Sequence, residues 1–284
     1  MFQLVHEERA NYPVSFSCRV LGVSRSGYYR WAKAKPAPRT RENQKLLAEI
    51  RDIHRAHKGR YGSPRIHREL QGRGHKVGRN RVARIMRQEG LRGRTPRRFR
   101  KTTDSRHHHR IAPNLLARDF TADEPNRIWV GDITYIPTLD GWLYLAVLLD
   151  LFSRRVVGWT MSDRIDTELA LGALQIAWER RKPAPGLIHH TDRDCRYASD
   201  DYQAALRDRE IAPSMSRKGD CWDNAVAESF FATLEKELFG ERRLLSRADT
   251  RLKIANYIES YYNDVRRHSY INYVSPLEFE LTMY

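Results

Sequence analysis

Up to about residue 90, the apolar positions recur three and four residues apart, the spacing of short amphipathic helices. "VSFSCRVLGVSRSGYYRWAK" reads as two brief helical runs separated by Gly22, with Ser15 and Ser24 as N-caps. The Pro-punctuated stretch "KAKPAPRT" (33–40) is a linker. Beyond it Leu46, Leu47, Ile50, Ile53 and His57 predict a helix of roughly four turns. In "GSPRIHRELQGRGHKVGRNRVARIMRQEG", Ser63 is the expected cap, Pro64 suits the first helical position, and Ile66 and Leu70 face inward. After the Gly-rich turn, a second helix from Arg79 to Glu89 turns Val82, Ile85 and Met86 inward and sets Arg81, Arg84 and Gln88 on another face. Two short helices around a Gly turn fit a helix-turn-helix; a plain helical hairpin with a solvated Arg face is the alternative.

From Arg127 the period falls to two. "RIWVGDITYIPTLDGWLYLAVLLD" is two β runs joined through Asp140-Gly141, and "RRVVGWTMS" continues the meander. A helix follows from Thr167 toward Arg181, stopped by Pro183 and Pro185. "GLIHHTD" gives a fourth strand, "SDDYQAALRDRE" a helix, "IAPSMS" a short fifth strand and "DNAVAESFFATLEKELFG" a helix ending at Gly240. The order β-β-β-α-β-α-β-α predicts an α/β mixed five-stranded sheet with flanking helices, preceded by an all-α region. A Tyr-rich helix (247–262) and a tail close the chain.

Charge divides the chain at almost the same place. Residues 1–110 hold 29 Lys+Arg against 8 Asp+Glu (+21), and residues 111–284 hold 22 against 27 (−5). Such asymmetry points to a polyanion-binding module joined to something that does other work. Nucleic acid is preferred over a membrane surface, because the basic half lacks a sustained apolar face with Trp or Phe anchors. Residues 92–110, with eight Lys+Arg and one Asp, form an expected phosphate-tracking arm containing Arg97, Arg98, Arg100 and Lys101. His107, His108 and His109 read as polar linker, not a metal set. The expected layout is an N-terminal helical segment (1–35), a helix-turn-helix domain (40–95), a basic linker (96–122) and a catalytic core with a helical tail (123–284). No stretch approaches a membrane span, no leader is visible, and the three scattered cysteines form no C-x-x-C pair. Together these features predict a reducing, cytoplasmic setting.

Three acids stand out. Asp132 interrupts an apolar strand on the side of Val130, Thr134 and Ile136; Asp192 ends the fourth strand; Glu228 lies one turn into the helix after "RKGDCWDN". Fifty-nine residues separate the first two and thirty-five the last two. Neighbouring elements could bring them together, and hard oxygen ligands select Mg²⁺ or Mn²⁺. Asp150, at the end of the second strand, suits a turn or hydrogen-bonding role.

"WVGDITYI", "HHTDR…YAS", "KGDCWDNAVAESFFATL" and "RRHSYINYVSPLEFE" resemble the OrfB transposases of the IS-three group of bacterial insertion sequences, within the retroviral-integrase superfamily. "CRVLGVSRSGYYRW" and "HRAHKGRYGSPRIHREL" extend the resemblance over nearly the whole chain. It implies an RNase H-like catalytic core with Asp132, Asp192 and Glu228 as the metal-binding triad, two Mg²⁺ or Mn²⁺ ions, and cleavage and strand transfer of insertion-sequence ends. It implies double-stranded DNA as partner, both terminal repeats and target, a homo-oligomer on DNA, and a possible upstream-frame partner carrying another helix-turn-helix. Expected DNA contacts are Arg79, Arg81, Arg84 and Gln88, the arm residues named above, Lys218, and Arg266 with Arg267, though the last two could instead anchor the tail. One departure stands inside the triad: where the family reads D-R-G-S-Q-Y, this chain has Asp192-Arg193-Asp194-Cys195-Arg196-Tyr197. Asp194 would strain the loop if that position needs positive φ, and it adds negative charge that Arg196 is placed to neutralise. Alternatives are a catalytically impaired DNA-binding copy or repressor, and an RNase H-type nuclease.

Overall fold

The computed structural model describes residues 1–33, 38–94, 109–217, 221–240 and 244–283. Three short helices open the chain: α1 (Phe2–Glu7), α2 (Val14–Val20) and α3 (Arg25–Lys33), packed around Val5, Cys18 and Tyr28. Ser24 caps α3 through a 3.0 Å bond from the Gly27 amide. Ser15 does not cap: Pro13 precedes α2, and its fixed φ of −58° presets the entry.

Helices α4 (Pro38–Ala56), α5 (Ser63–Gly72) and α6 (Arg79–Gln88) share a core of Leu46, Ile50, Ile53, Tyr61, Ile66, Leu70, Val82, Ile85 and Met86. α4 is longer than the spacing predicted because Pro38, tolerated in a first turn, starts it inside the expected linker. Gly62, not Ser63, is the cap residue of α5, one position early.

The sheet has β1 (Ile128–Thr138), β2 (Gly141–Asp150), β3 (Val156–Ser162), β4 (Ile188–Thr191) and β5 (Ala212–Met215), in the order β3-β2-β1-β4-β5. The first three form the antiparallel meander; β4 runs parallel to β1, and β5 parallel to β4. Thr138 pairs with Gly141, so Leu139 and Asp140 make the turn and Gly141 supplies the φ of +99° that closes it. β2 reads as a near-continuous apolar run because helices cover both of its faces. Leu143, Leu145, Val147 and Leu149 meet α10 (Ala225–Leu238) and α11 (Arg247–Tyr257); Ala146 and Leu148 meet α7 (Thr167–Arg181). Gly158 lets α7 lie directly on β3, since a Cβ there would stand 2.3 Å from the Ala173 carbonyl. Two short helices, α8 (Cys195–Ala198) and α9 (Asp200–Arg207), follow β4, and α12 (Pro276–Met283) ends the described chain.

The basic helical half rests on the sheet half. Arg60 Nε and Arg94 Nη1 donate to the Glu237 carbonyl at the end of α10 (3.4 and 2.7 Å). Arg65 Nε reaches the Arg267 carbonyl at 2.8 Å, and the Arg267 amide donates to Tyr61 Oη at 2.9 Å.

Candidate active site

Parallel pairing places two of the acids. Val130 stands opposite His190, so two residues further along both strands Asp132 and Asp192 lie side by side. This is the carboxyl-terminal edge of the parallel strands, where open α/β sheets leave a crevice. α10 brings the third acid. Asp132 shares its side of β1 with Val130 and Ile136, which pack with Ala227, Phe230 and Phe231 of α10, and Glu228 sits in the first turn of that helix. Asn224, just before α10, donates to the Gly131 carbonyl (3.3 Å) and fixes the start of the helix beside Asp132.

The three acids share one field. Burial pushes the Asp132 carboxyl well above the ordinary carboxylate range; Asp192, then Glu228 and Asp194, push it further, against one stabilising bond from the Ile133 amide. Asp132, Ile133, Tyr135, Ile165, Asp192, Asp194 and Tyr197 enclose a cavity of about 10 Å³, room for one small ion or water. Among the described residues, no group of three or more His, Cys, Asp or Glu side chains is drawn together tightly enough to hold a metal ion.

Asp194 is not strained. Its φ is −71°, ordinary for any residue, and its carboxylate caps α8 through the Arg196 amide. Arg196 Nη1 holds both carboxylate oxygens, at 2.7 and 2.6 Å, and both side chains are buried. The loop variant is therefore a buried ion pair whose Asp194 lines the cavity.

Three supports had no distinct sequence signal. Asp223, fully buried, accepts from Asn114 Nδ2, Arg118 Nε and the amide, Nε and Nη2 of Arg217. Hydrogen bonding from Arg217, outweighing burial, holds its carboxyl far below the usual range. His190 links β4 to Ser214 Oγ (2.8 Å) and to the Asp223 carbonyl (2.9 Å), while His189 meets Tyr202 Oη at 2.9 Å. Burial lowers both imidazoles, His189 to about 3. The two neighbours face opposite sides of a buried strand, which "HHTD" alone does not reveal.

The expected DNA contacts separate. Arg79, Arg84 and Gln88 are exposed on α6. Arg81 instead turns to α4, bonding Asn43 Oδ1 (2.9 Å) and Glu42 Oε2 (3.0 Å). Arg266 is corrected outright: it is 4% exposed and its Nε and Nη2 are engaged by Glu237, so it anchors the tail. Arg267 is bound to Glu69 and to the Tyr273 carbonyl. Arg97, Arg98, Arg100, Lys101 and Lys218 lie outside the described residues, as do His107 and His108. Asp150 plays the hydrogen-bonding role expected: it accepts from the Asn126 and Phe152 amides, and burial raises its carboxyl to about 6.

Integrase core domain models match residues 122–221 and 209–276, and an HTH-like domain model matches 41–99. The transposase InsF for insertion sequence IS3A of Escherichia coli (strain K12) is 42% identical over 281 residues, covering 98% of each chain. The chain belongs to the IS3 family of transposases. Another relative in the family is an insertion element IS600 31 kDa protein of Shigella sonnei, 42% identical over 92% of this chain and 96% of its own. A solved chain of the simian T-cell lymphotropic virus intasome superimposes with TM-score 0.48 at 18% identity, covering 81% of this chain and 74% of that one. In this chain Asp132 lies on β1, Asp192 directly follows β4, and Glu228 lies in the first turn of α10. No helix among the described residues is long and apolar enough to cross a membrane.

Proposed function

We propose that this chain cuts the ends of an insertion sequence and joins them to target DNA, using Asp132, Asp192 and Glu228 as one divalent-metal site. The observation that carries the reading is the crowding at Asp132, where burial and the nearby carboxylates of Asp192, Glu228 and Asp194 penalise an ionised form that a bound cation would stabilise. Carboxylate oxygens suit Mg²⁺ or Mn²⁺, and those of Asp132 and Asp192 line the space of about 10 Å³ together with Asp194, Tyr135 and Tyr197. One such ion fits the cavity, and a pair, the second outside it, would supply activation of a water or DNA 3′-hydroxyl and stabilisation of the departing 3′ oxygen.

The chain's own residues do the rest. The β1–β4 pairing brings Asp132 toward Asp192, and the Asn224 bond to the Gly131 carbonyl ties the start of α10, whose first turn carries Glu228, to β1. Arg196 cancels the Asp194 charge, which keeps the added acid from competing for the cation. That neutralisation weighs against the reading as a catalytically impaired copy. We assign residues 40–95 to recognition of terminal repeats through Arg79, Arg84 and Gln88, residues 96–122 to a basic linker, 123–284 to catalysis with a helical tail and 1–35 to an N-terminal helical segment. Working as a homo-oligomer on DNA, with or without an upstream-frame partner, belongs to the same proposal. The test is strand transfer of labelled element-end duplexes in Mg²⁺ or Mn²⁺. Products joined to target DNA that vanish with chelator support the reading. Binding without any joining would leave a repressor, and indiscriminate strand cutting would leave a nuclease.

A further inference from the structure

Away from the acids, α5, α10 and the segment after α11 enclose a second cleft, of about 260 Å³. Arg65 comes from the recognition half; Ser229 and Thr233 come from α10, one and five residues past Glu228; Arg154, Arg266, His268, Ser269 and Tyr270 complete the wall. Its charge is positive and only partly cancelled. Glu237 neutralises Arg266. Arg65 spends Nε on a backbone carbonyl and lies over Tyr61. Arg154 is the unusual member. It is 7% exposed, its guanidinium lies 3.7 Å from the centre of the Tyr270 ring, Nη2 donates to the Phe120 carbonyl, and Nη1 has no hydrogen-bond partner. A buried guanidinium donor without an acceptor costs free energy unless a ligand supplies one. Burial, then the guanidiniums of Arg266, Arg65 and Arg154, hold the His268 imidazole neutral, consistent with the same positive field.

We propose that this cleft binds a backbone phosphate of DNA, with Arg154 as its buried anchor and Arg65 as the second cation. The inference rests on the chain acting on DNA, and it deepens that reading. A guanidinium with one unpaired N–H is matched to a phosphate oxygen. Because the wall joins α5 to the helix carrying Glu228, a phosphate held there would fix DNA relative to both the recognition half and the acids. Cavity, charge and the orphaned donor distinguish this site from the solvated arginines of α6.

The full-length chain is titrated with a fluorescent element-end duplex at several salt concentrations. Arg154→Gln should weaken binding and reduce the log–log salt slope by about 0.9, one phosphate contact. Arg154→Lys should keep most of that slope. Ser269→Glu, an exposed position on the rim, should weaken binding in the same way, and it decides alone if Arg154→Gln unfolds. Thr282→Glu makes the same charge change on exposed α12 and should leave the slope unchanged. Wild-type slopes in both cleft variants overturn the inference while DNA binding stands. A wild-type chain that binds no duplex overturns both. Inorganic phosphate separates the sources: Arg154-dependent thermal stabilisation by phosphate, with a DNA slope indifferent to Arg154, would make the cleft a free-anion site and remove the DNA assignment.

Discussion

Asp194 and Arg196 differ from the family pattern in sequence, and the structure makes them one unit: a pair held at 2.6–2.7 Å in a wall of the acidic cavity. Removing one partner of a buried pair strands the other, at a cost of about 3–5 kcal/mol, whereas removing both is close to neutral. Arg196→Gln should therefore lower strand-transfer rate and stability together. Asp194→Gly with Arg196→Gln should restore both, since φ at 194 suits either residue. A double-mutant cycle on stability should then give a coupling of at least about 3 kcal/mol; additive effects would mean the pair does not matter. The sequence made the pairing legible, because two opposite charges two residues apart after a strand can meet across one turn. The strain expected at Asp194 was not legible, since φ follows from how α8 begins.

At the scale of elements, α10 is positioned by its start. Asp223 takes five hydrogen bonds there, and no pattern of hydrophobic positions announces a buried acid. Asp223→Ala would release Arg217 and Arg118, each about half exposed, back to water, so its stability cost should stay near 1–3 kcal/mol. Its larger effect should be on cleavage rate, with duplex binding nearly unchanged; equal losses in both would make the network a general fold support. α6 divides similarly. Arg84→Ala or Gln88→Ala should relax base preference, while Arg81→Ala, which breaks a brace to α4, should change stability by only about 0–1 kcal/mol and leave preference intact. Competition with mismatched duplexes separates the two outcomes. Helical spacing exposed the buried side of α6 correctly through Val82, Ile85 and Met86, but could not say that Arg81 reaches back to another helix.

For the whole molecule, the succession of strands and helices after residue 127 was legible from the change of period, but the order β3-β2-β1-β4-β5 within the sheet was not. The docking of the two halves was not, since it runs through Arg60, Arg65 and Arg94, which in sequence look like part of the solvated basic face, and through Arg267 of the tail. Buried histidines tie the assembly to pH. Burial lowers His57, His189, His190 and His268, so the folded state stays neutral where the unfolded chain takes up protons below about pH 6.5. Unfolded chains then bind more protons, and stability is lost as pH falls below that value, by up to about 1.4 kcal/mol per pH unit for each histidine. Urea unfolding at pH 7.5 and pH 5 should show this loss, and His189→Gln should flatten it by one proton's worth between about pH 3 and 6.5. An unchanged pH slope in that variant would contradict the assignment of His189 as buried and neutral.

The central claim is that acids from β1, the end of β4 and α10 make a single metal site. Single-turnover cleavage of an element-end duplex in Mn²⁺ tests it most directly, using Asp132→Asn, Asp192→Asn, Glu228→Gln and the triple variant at matched duplex occupancy. One shared site predicts that each single substitution abolishes cleavage to the level of the triple while duplex affinity is kept, because effects within one functional unit do not add. Substantial cleavage by Glu228→Gln, or losses that multiply from single to triple, would contradict it.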